Sequence, residues 1–222
     1  MRNNWKIIKK ILRPAYHYFV RLAKWKRRIG LRSTDFSIIS NNCTGGYVYQ
    51  YFGISYKTPT EGLYFTTEDY LKIVERPEYY FNQKVELIDA RKSVLAQKGK
   101  KITYPVGRID DVEIYFMHYP NPKEALSKWH RRVSRINFEK MFFLLTETEL
   151  MKIEHVNKFV ELLDDTITPE KRKGICLTLQ NYALPSTLFV SGVPKDENNG
   201  NASWRPEIIL KCINWKKVLN DL

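Results

Sequence analysis

The chain has 222 residues, of which 43% are hydrophobic and 14% aromatic, enough to bury the core of one compact domain, and this composition excludes an intrinsically disordered protein. Its 37 Lys and Arg residues outnumber its 24 Asp and Glu residues, but residues 1–34 hold eleven of the basic side chains and no acid. The remaining residues carry 26 basic and 24 acidic groups, a net charge of only +2, which argues against a body built to follow a nucleic acid backbone.

The sequence predicts a basic helical arm over residues 1–34. A single α/β domain, which could divide into two lobes, is predicted over residues 35–222. From Trp5 to Ile29, apolar and basic side chains recur at helical spacing, and we expect Pro14 to end or kink the helix. A basic amphipathic helix with Trp and Tyr side chains favours an anionic membrane surface, here through residues 1–32. The alternative is a helix packed on the body or on a partner subunit, and nucleic acid is the least favoured partner.

The cysteines and the apolar stretches of the sequence indicate the cellular compartment of the protein. Three widely spaced cysteines without a CxxC pair fit neither a disulfide framework nor a zinc site, so we predict a reducing cytosol and no metal. The apolar residues of the arm are interrupted by Lys9, Lys10 and Arg13, which excludes a signal peptide, and no stretch approaches the roughly 20 apolar residues of a membrane span. We therefore expect a cytoplasmic protein, peripheral on the inner face of the membrane if the arm binds lipid.

In the body, strands alternate with helices. Residues 35–40 predict a buried strand, residues 41–46 a tight turn and residues 47–52 a helix. The other predicted strands are residues 85–88, 112–118, 142–145, 174–179, 187–190 and 208–211. The other predicted helices begin at Thr67 and cover residues 123–136, residues 147–163 and the C-terminus. This order predicts a layered α/β sandwich with a mixed, mainly parallel sheet, because at least one connection, near 107–112, is short enough for a hairpin. Residues 195–201 form the best candidate for a flexible loop.

The turn around Cys43 is the strongest candidate site, because α/β proteins place ligands beyond the carboxyl ends of their strands. A thiol beside Gly45 and Gly46 at a helix start would face unpaired backbone N–H groups, which lower a thiol pKa and bind an oxyanion. These are the requirements of an acyl-transferring nucleophile. Alternatively, Cys43 is a small buried residue and the glycines serve the turn. Asn41 and Asn42 either cap the helix or orient a ligand with their amides.

His118, at the end of a clearly alternating strand, is the candidate base, although a structural role is the alternative. Arg131, Arg132 and Arg135 follow on the next predicted helix at spacings of three and four residues, so a pair of guanidinium groups can hold a phosphate or carboxylate. A solvated helix face explains the same three arginines. Asp110 and Asp111 resemble the metal-binding acidic pairs of sugar transferases, but adjacent carboxylates in a hairpin turn are usually solvated.

Several ordered segments resemble one bacterial family of unknown function whose members are commonly labelled exopolysaccharide biosynthesis proteins. These segments are Ser40-Asn-Asn-Cys-Thr-Gly-Gly46, Thr58-Pro-Thr-Glu-Gly-Leu-Tyr64, Tyr104-Pro-Val-Gly107, His118-Tyr119, Ala125-Leu-Ser-Lys-Trp129, Arg131-Arg132 and Arg135-Ile-Asn137. The resemblance runs from about residue 35 to the C-terminus and implies an α/β fold and a role in cell-surface polysaccharide synthesis. Asn42-Cys43 also resembles the Gly-Asn-Cys start of capsule acetyltransferases that bind coenzyme A, although Asn41 stands in place of the glycine.

Two functions follow as hypotheses. The first is an enzyme that transfers or hydrolyses an acyl group on a sugar or lipid-linked glycan precursor, with a coenzyme A-type donor, Cys43 as nucleophile, His118 as base and the three arginines as an anion clamp. The second is a non-catalytic or glycosyl-transferring component of a membrane-associated polysaccharide assembly complex. Convergence of Cys43, His118 and the arginines on one pocket would favour the enzyme.

Overall fold

The computed structural model describes residues 2–167, 171–197 and 201–222, with side chains at residue 14 and from residue 16 onward within these ranges. The helices are α1 (Arg2–Arg28), α2 (Thr44–Phe52), α3 (Thr67–Glu75), α4 (Pro77–Phe81), α5 (Val94–Gln97), α6 (Pro122–Val133), α7 (Ile153–Leu162), α8 (Pro206–Cys212) and α9 (Trp215–Asn220). The strands are β1 (Ser37–Ser40), β2 (Glu86–Ile88), β3 (Val106–Ile109), β4 (Val112–Tyr115), β5 (Met141–Thr146), β6 (Lys173–Thr178) and β7 (Thr187–Phe189).

A four-stranded sheet with all neighbours parallel, in the order β1-β5-β6-β7, forms the centre of the fold. Its strands are short apolar runs because both faces are covered. Ile38 faces a core formed with α2, α8 and α9, whereas its neighbour Ile39 faces a second core formed with α3, α6 and α7. Layers of helices on both sides of a parallel sheet confirm the predicted α/β class.

The antiparallel strands form a second, smaller sheet in the order β2-β3-β4, so the mixed sheet of the prediction separates into two. The β3–β4 hairpin turns at Asp110, whose φ of 52° is tolerated by aspartate. The two sheets are joined through the segment after Gly62. Tyr64 pairs with Tyr115 of β4, and the next residue, Phe65, donates its backbone N–H to Asn41 O at 2.8 Å. A cleft therefore opens between the carboxyl edge of the parallel sheet and the small sheet.

Two predicted elements are wrong. Residues 208–211, predicted as a strand, lie in helix α8, because Pro206 occupies the first turn of a helix and Ile209 packs into the core. The helix predicted from residue 147 begins only at Ile153. Residue 147 is kept out of a helix because Glu147 donates its N–H to Leu177 O at 2.9 Å and its carboxylate accepts the N–H of Leu179 at 2.6 Å, and residues 149–150 then form a turn. Residues 198–200 of the predicted flexible loop lie outside the described residues.

Helix α1 runs through Pro14 as one element, so the proline does not end it. At its C-terminal end, Arg27 Nη1 donates to Tyr51 O at 3.1 Å and its guanidinium lies 4.4 Å from the Tyr51 ring centroid. Asn220 of α9 then holds the following segment, donating to Gly30 O at 2.8 Å. The last turns of α1 are thus attached to the body. In the described part of the chain, no helix combines the length and apolar character needed to cross a membrane.

Candidate functional site

The carboxyl ends of β1 and β5 are locked together by the side chain of Asn41. Its Oδ1 accepts the N–H of Thr146 at 3.1 Å and its Nδ2 donates to Thr146 O at 3.0 Å, with both residues fully buried. Asn42 Nδ2 donates to Thr146 Oγ1 at 2.8 Å. The two asparagines therefore fix the loop that carries Cys43 to the neighbouring strand, and Asn41 has no free amide group to offer a ligand.

Cys43 occupies the position immediately before helix α2, which begins at Thr44 and not at residue 47 as predicted, so Gly45 and Gly46 lie in the first helical turn. The first helical N–H groups are already bonded: Thr44 N–H to Asn42 Oδ1 at 3.0 Å, Gly45 N–H to Ser40 Oγ at 3.2 Å, and Gly46 N–H to Cys43 O at 3.0 Å. The expected oxyanion-binding pair at Gly45 and Gly46 is thus occupied by the protein's own acceptors. What remains is the Thr44 hydroxyl, which is buried and has no hydrogen-bond partner among the described residues.

A cleft of about 490 Å³ opens in front of Cys43, within the size range of small-molecule sites. The half-buried Cys43 and the exposed His118 both line it; His118 lies in a turn three residues after β4, because that strand ends at Tyr115 and not at residue 118 as predicted. His118 is held in place by its backbone N–H, which donates to Gly62 O at 3.0 Å. The structure therefore brings the predicted nucleophile and the predicted base to one cleft.

Aromatic rings and polar side chains share the rest of the cleft. The aromatic members are Tyr47, Tyr64, Tyr104 and Trp204, and the polar members include Lys100, Lys101, Glu147, Glu149, Asp196 and Arg205. Trp204 is fixed by its indole N–H, which donates to Glu147 O at 2.8 Å. Lys100 pairs with Glu149 across the cleft. Charges of both signs line the walls beside the aromatic rings, so the cleft suits a polar ligand with apolar faces.

The thiol of Cys43 is held in its protonated form. Burial and then the negative charge of Glu61 raise its pKa, against a smaller lowering by the Tyr47 hydroxyl, which hydrogen-bonds to the sulfur. This is the opposite of the lowered pKa that the sequence predicts from a helix start. A thiol in this state needs a base at the moment of reaction.

Glu61 is the charged residue that the sequence analysis misses. Its carboxylate lies over Gly46 in the first turn of α2, so close that a methyl group at Gly46 would lie 2.6 Å from Glu61 Cδ. Glu61 Oε2 is buried without a hydrogen-bond partner among the described residues, and burial raises the pKa of the carboxyl while the Arg132 charge lowers it. The sequence offers no local signal for this contact, because the loop before Gly62 reaches α2 only through the tertiary fold. Tyr47, four residues after Cys43, could have been predicted from helical spacing.

The three arginines have separate environments. Arg132 is buried; its Nη1 donates to Glu61 O at 2.6 Å and to the Tyr119 hydroxyl, and its guanidinium lies 5.1 Å from the Tyr56 ring centroid. Arg131 and Arg135 are exposed. In the part of the chain that the structure describes, none of the three lines the Cys43 cleft. Arg132 instead holds the loop that carries Glu61, through its hydrogen bond to the Glu61 carbonyl oxygen.

Asp110 and Asp111 occupy the β3–β4 turn, away from the cleft. Asp110 accepts the Tyr79 hydroxyl at 2.8 Å, and Asp111 accepts the Tyr80 hydroxyl at 2.9 Å and pairs with Lys72 at 2.8 Å. Among the described residues, no group of three or more His, Cys, Asp and Glu side chains is placed to hold a metal ion. The acidic pair therefore ties the hairpin to α3 and α4.

These features define an α/β protein with a ligand-sized cleft at the carboxyl edge of a parallel sheet. The chain belongs to the family described as Domain of unknown function (DUF1919), whose model matches residues 15–208. It is also similar to a protein of Haemophilus influenzae named "Uncharacterized protein", with 25% identity over 199 residues, which covers 90% of this chain and 87% of the relative. The family match covers Cys43, Glu61, His118 and Arg132.

Proposed function

We propose that this chain is an acyl-transfer enzyme that acts on a sugar or a lipid-linked glycan precursor in cell-surface polysaccharide synthesis. The observation that supports the proposal is that the half-buried Cys43 and the exposed His118 line the same cleft at the carboxyl edge of the sheet. The polysaccharide context comes from the resemblance of the motif segments to proteins with that label.

The lining of the cleft supports a sugar as the acceptor. A pyranose ring has apolar C–H faces and a rim of hydroxyl groups, so it needs flat apolar surfaces together with hydrogen-bonding groups. Tyr47, Tyr64 and Tyr104 offer aromatic surface, and the carboxylates and lysines around them offer donors and acceptors. The ligand would thus lie against the tyrosines with its hydroxyl groups directed at the polar side chains.

The chemistry follows from the state of the thiol. In the first step His118 accepts the Cys43 proton while sulfur attacks the carbonyl carbon of a coenzyme A-type thioester; a new S–C bond forms, the donor C–S bond breaks, and the proton passes to the leaving thiolate. In the second step a sugar hydroxyl attacks the carbonyl carbon of the acyl-Cys43; an O–C bond forms, the S–C bond breaks, and the hydroxyl proton passes through His118 to the Cys43 sulfur, which restores the thiol. The Thr44 hydroxyl, which has no hydrogen-bond partner among the described residues, is the donor we assign to the developing oxyanion.

The test is intact-mass and peptide mass spectrometry after incubation with acetyl-coenzyme A. We expect a 1:1 acetyl adduct on Cys43 that is absent in Cys43→Ser and retained in Cys212→Ser, a matched control because Cys212 is also half-buried. His118→Ala should slow adduct formation by about 10²- to 10⁴-fold, the usual loss of a general base. Absence of an adduct on Cys43, or an unchanged rate in His118→Ala, would contradict the proposed mechanism.

A second candidate is a sugar-binding component without chemistry of its own, and a specific observation favours it. The helical N–H groups at Gly45 and Gly46 are already bonded and the pKa of Cys43 is raised, which is the pattern of a structural thiol. Ligand-observed NMR with a panel of hexoses and N-acetylhexosamines separates the two candidates. Binding that persists in Cys43→Ser without any acyl adduct in the wild-type protein would select the binding component.

A further inference from the structure

One side of the C-terminal half of α1 is in contact with the body. The half-buried residues on this side are Val20, Lys24 and Arg27, spaced four and three residues apart and therefore on one face. Lys24 lies over Gly53, where an added side chain would overlap its aliphatic stem, and Arg27 reaches Tyr51 of α2. The contacts of this face fix the orientation of the helix on the body.

The opposite side of α1 carries large apolar side chains that nothing in the described chain covers. Tyr18 and Trp25 are 65% and 54% exposed and share a face, because they are spaced seven residues apart; Ile29, 55% exposed, lies in the turn that directly follows the helix. Each of Tyr18 and Trp25 precedes a body-facing residue by two positions, which at 3.6 residues per turn is a rotation of about 200°. Phe19, at 65% exposure, widens this apolar stripe. A row of exposed aromatic side chains on a soluble protein marks an interaction surface.

The charge of the same segment selects the partner. Residues 1–34 contain eleven basic side chains and no acidic one. A second copy of the helix packed against the stripe would bring the same positive charge into contact with itself, which is unfavourable. A nucleic acid would satisfy the charges but leave the aromatic stripe in water. An anionic lipid surface satisfies both, since aromatic side chains enter the interface and cations bind the headgroups.

We propose that α1 docks this protein on an anionic membrane surface, with the Tyr18, Trp25 and Ile29 stripe inserted among the lipid headgroups and the body on the opposite side of the helix. In that arrangement, the exposed Arg21 and the half-buried Arg28 lie beside the stripe near the headgroup level. The helix lies on the membrane rather than crossing it. This inference stands on α1 alone and does not depend on the chemistry proposed for the cleft.

The experiment is cosedimentation of the full chain with vesicles of phosphatidylcholine alone or mixed with phosphatidylglycerol. We expect binding to the anionic vesicles that weakens as salt rises, because exposed charges are screened over about 10 Å at 0.1 M salt, and little binding to the neutral vesicles. The double variant Tyr18→Ser, Trp25→Ser should lose at least tenfold in partitioning, and Arg21→Gln about fivefold.

The matched control is Leu87→Ser, which removes an apolar side chain of similar exposure from the small sheet and should bind like the wild-type protein. Circular dichroism and thermal unfolding verify that each variant is folded. The proposal is overturned if the wild-type chain fails to sediment with anionic vesicles at low salt, or if the double variant binds as well as Leu87→Ser. It is also overturned if light scattering shows a dimer that the double variant abolishes, since the stripe is then a protein interface.

Discussion

Replacing Gly46 with alanine tests the contact between Glu61 and the start of α2. In the wild-type protein, a methyl group at Gly46 would lie 2.6 Å from Glu61 Cδ, far inside the ordinary contact distance of about 3.5–4 Å. Either the carboxylate is pushed from its buried position or α2 shifts, and overpacking of this kind typically costs about 1–3 kcal/mol. The backbone at Gly46 does not have positive φ, so alanine meets no conformational strain there.

The sign of the effect should reverse once Glu61 is removed. In a Glu61→Ala background the three atoms nearest to the added methyl group are removed, and Gly46→Ala should then stabilise the protein by about 0.5–1 kcal/mol, the usual gain of alanine over glycine inside a helix. The assay is urea unfolding of the wild-type protein, both single variants and the double variant, analysed as a double-mutant cycle. Gly45→Ala is the matched control. Its added methyl group would meet Ser40 Oγ at 2.9 Å, so its cost should be the same with or without Glu61. Equal destabilisation by Gly46→Ala in both backgrounds would refute the contact.

Two further predictions concern titratable groups. Iodoacetamide should modify Cys43 faster than the fully buried Cys176 or the half-buried Cys212, as followed by peptide mass spectrometry. Because the pKa of Cys43 is raised above the ordinary thiol pKa of 9.0, its modification rate should still be rising at pH 9.0. Glu61→Gln should move the pH profile of that rate to lower pH. A profile unchanged by Glu61→Gln would contradict the assigned cause. Burial raises the pKa of Asp69 from 3.8 to about 6, so the folded state binds this proton more tightly and the free energy of unfolding falls by up to roughly 3 kcal/mol as pH rises between those values. Asp69→Asn should remove that fall in urea unfolding measured across the same range, and an identical slope in the variant would show that other groups cause it.

The sequence predicts elements well where local chemistry decides them. The strand before Asn41 is correct because a short apolar run is followed by turn-forming residues, although the turn is shorter than predicted and helix α2 begins at Thr44. Helix α6 also follows its prediction, since Asn121 caps it and Pro122 occupies its first position. Prediction is wrong for residues 208–211, where the run of apolar residues fits a strand or a buried helix equally and packing against α2 decides.

The candidate site is predictable only in part. Cys43 and His118 follow from turn and strand patterns, but their meeting in one cleft depends on how the small sheet docks on the large one. That docking rests on Tyr64 and Phe65, whose backbone bonds join the sheets and carry no sequence signature. Arg132 is a residue whose place in the structure the sequence does not predict. Its spacing predicts an anion clamp, whereas the tertiary structure uses it to hold the loop of Glu61.

The glycine pair after Cys43 shows why the electrostatics of the site differ from the expectation. From sequence, Gly45 and Gly46 indicate a turn that leaves backbone N–H groups free to lower the thiol pKa. In the structure neither glycine has positive φ; both serve close approach, Gly45 to Ser40 and Gly46 to Glu61. The absence of a side chain at Gly46 admits a carboxylate where the sequence predicts an anion-binding site. Cys43 is consequently kept as a thiol, so any nucleophilic role requires a base that accepts its proton. The effects of His118→Ala and Glu61→Gln on the reactivity of Cys43 therefore test most directly whether the cleft is catalytic.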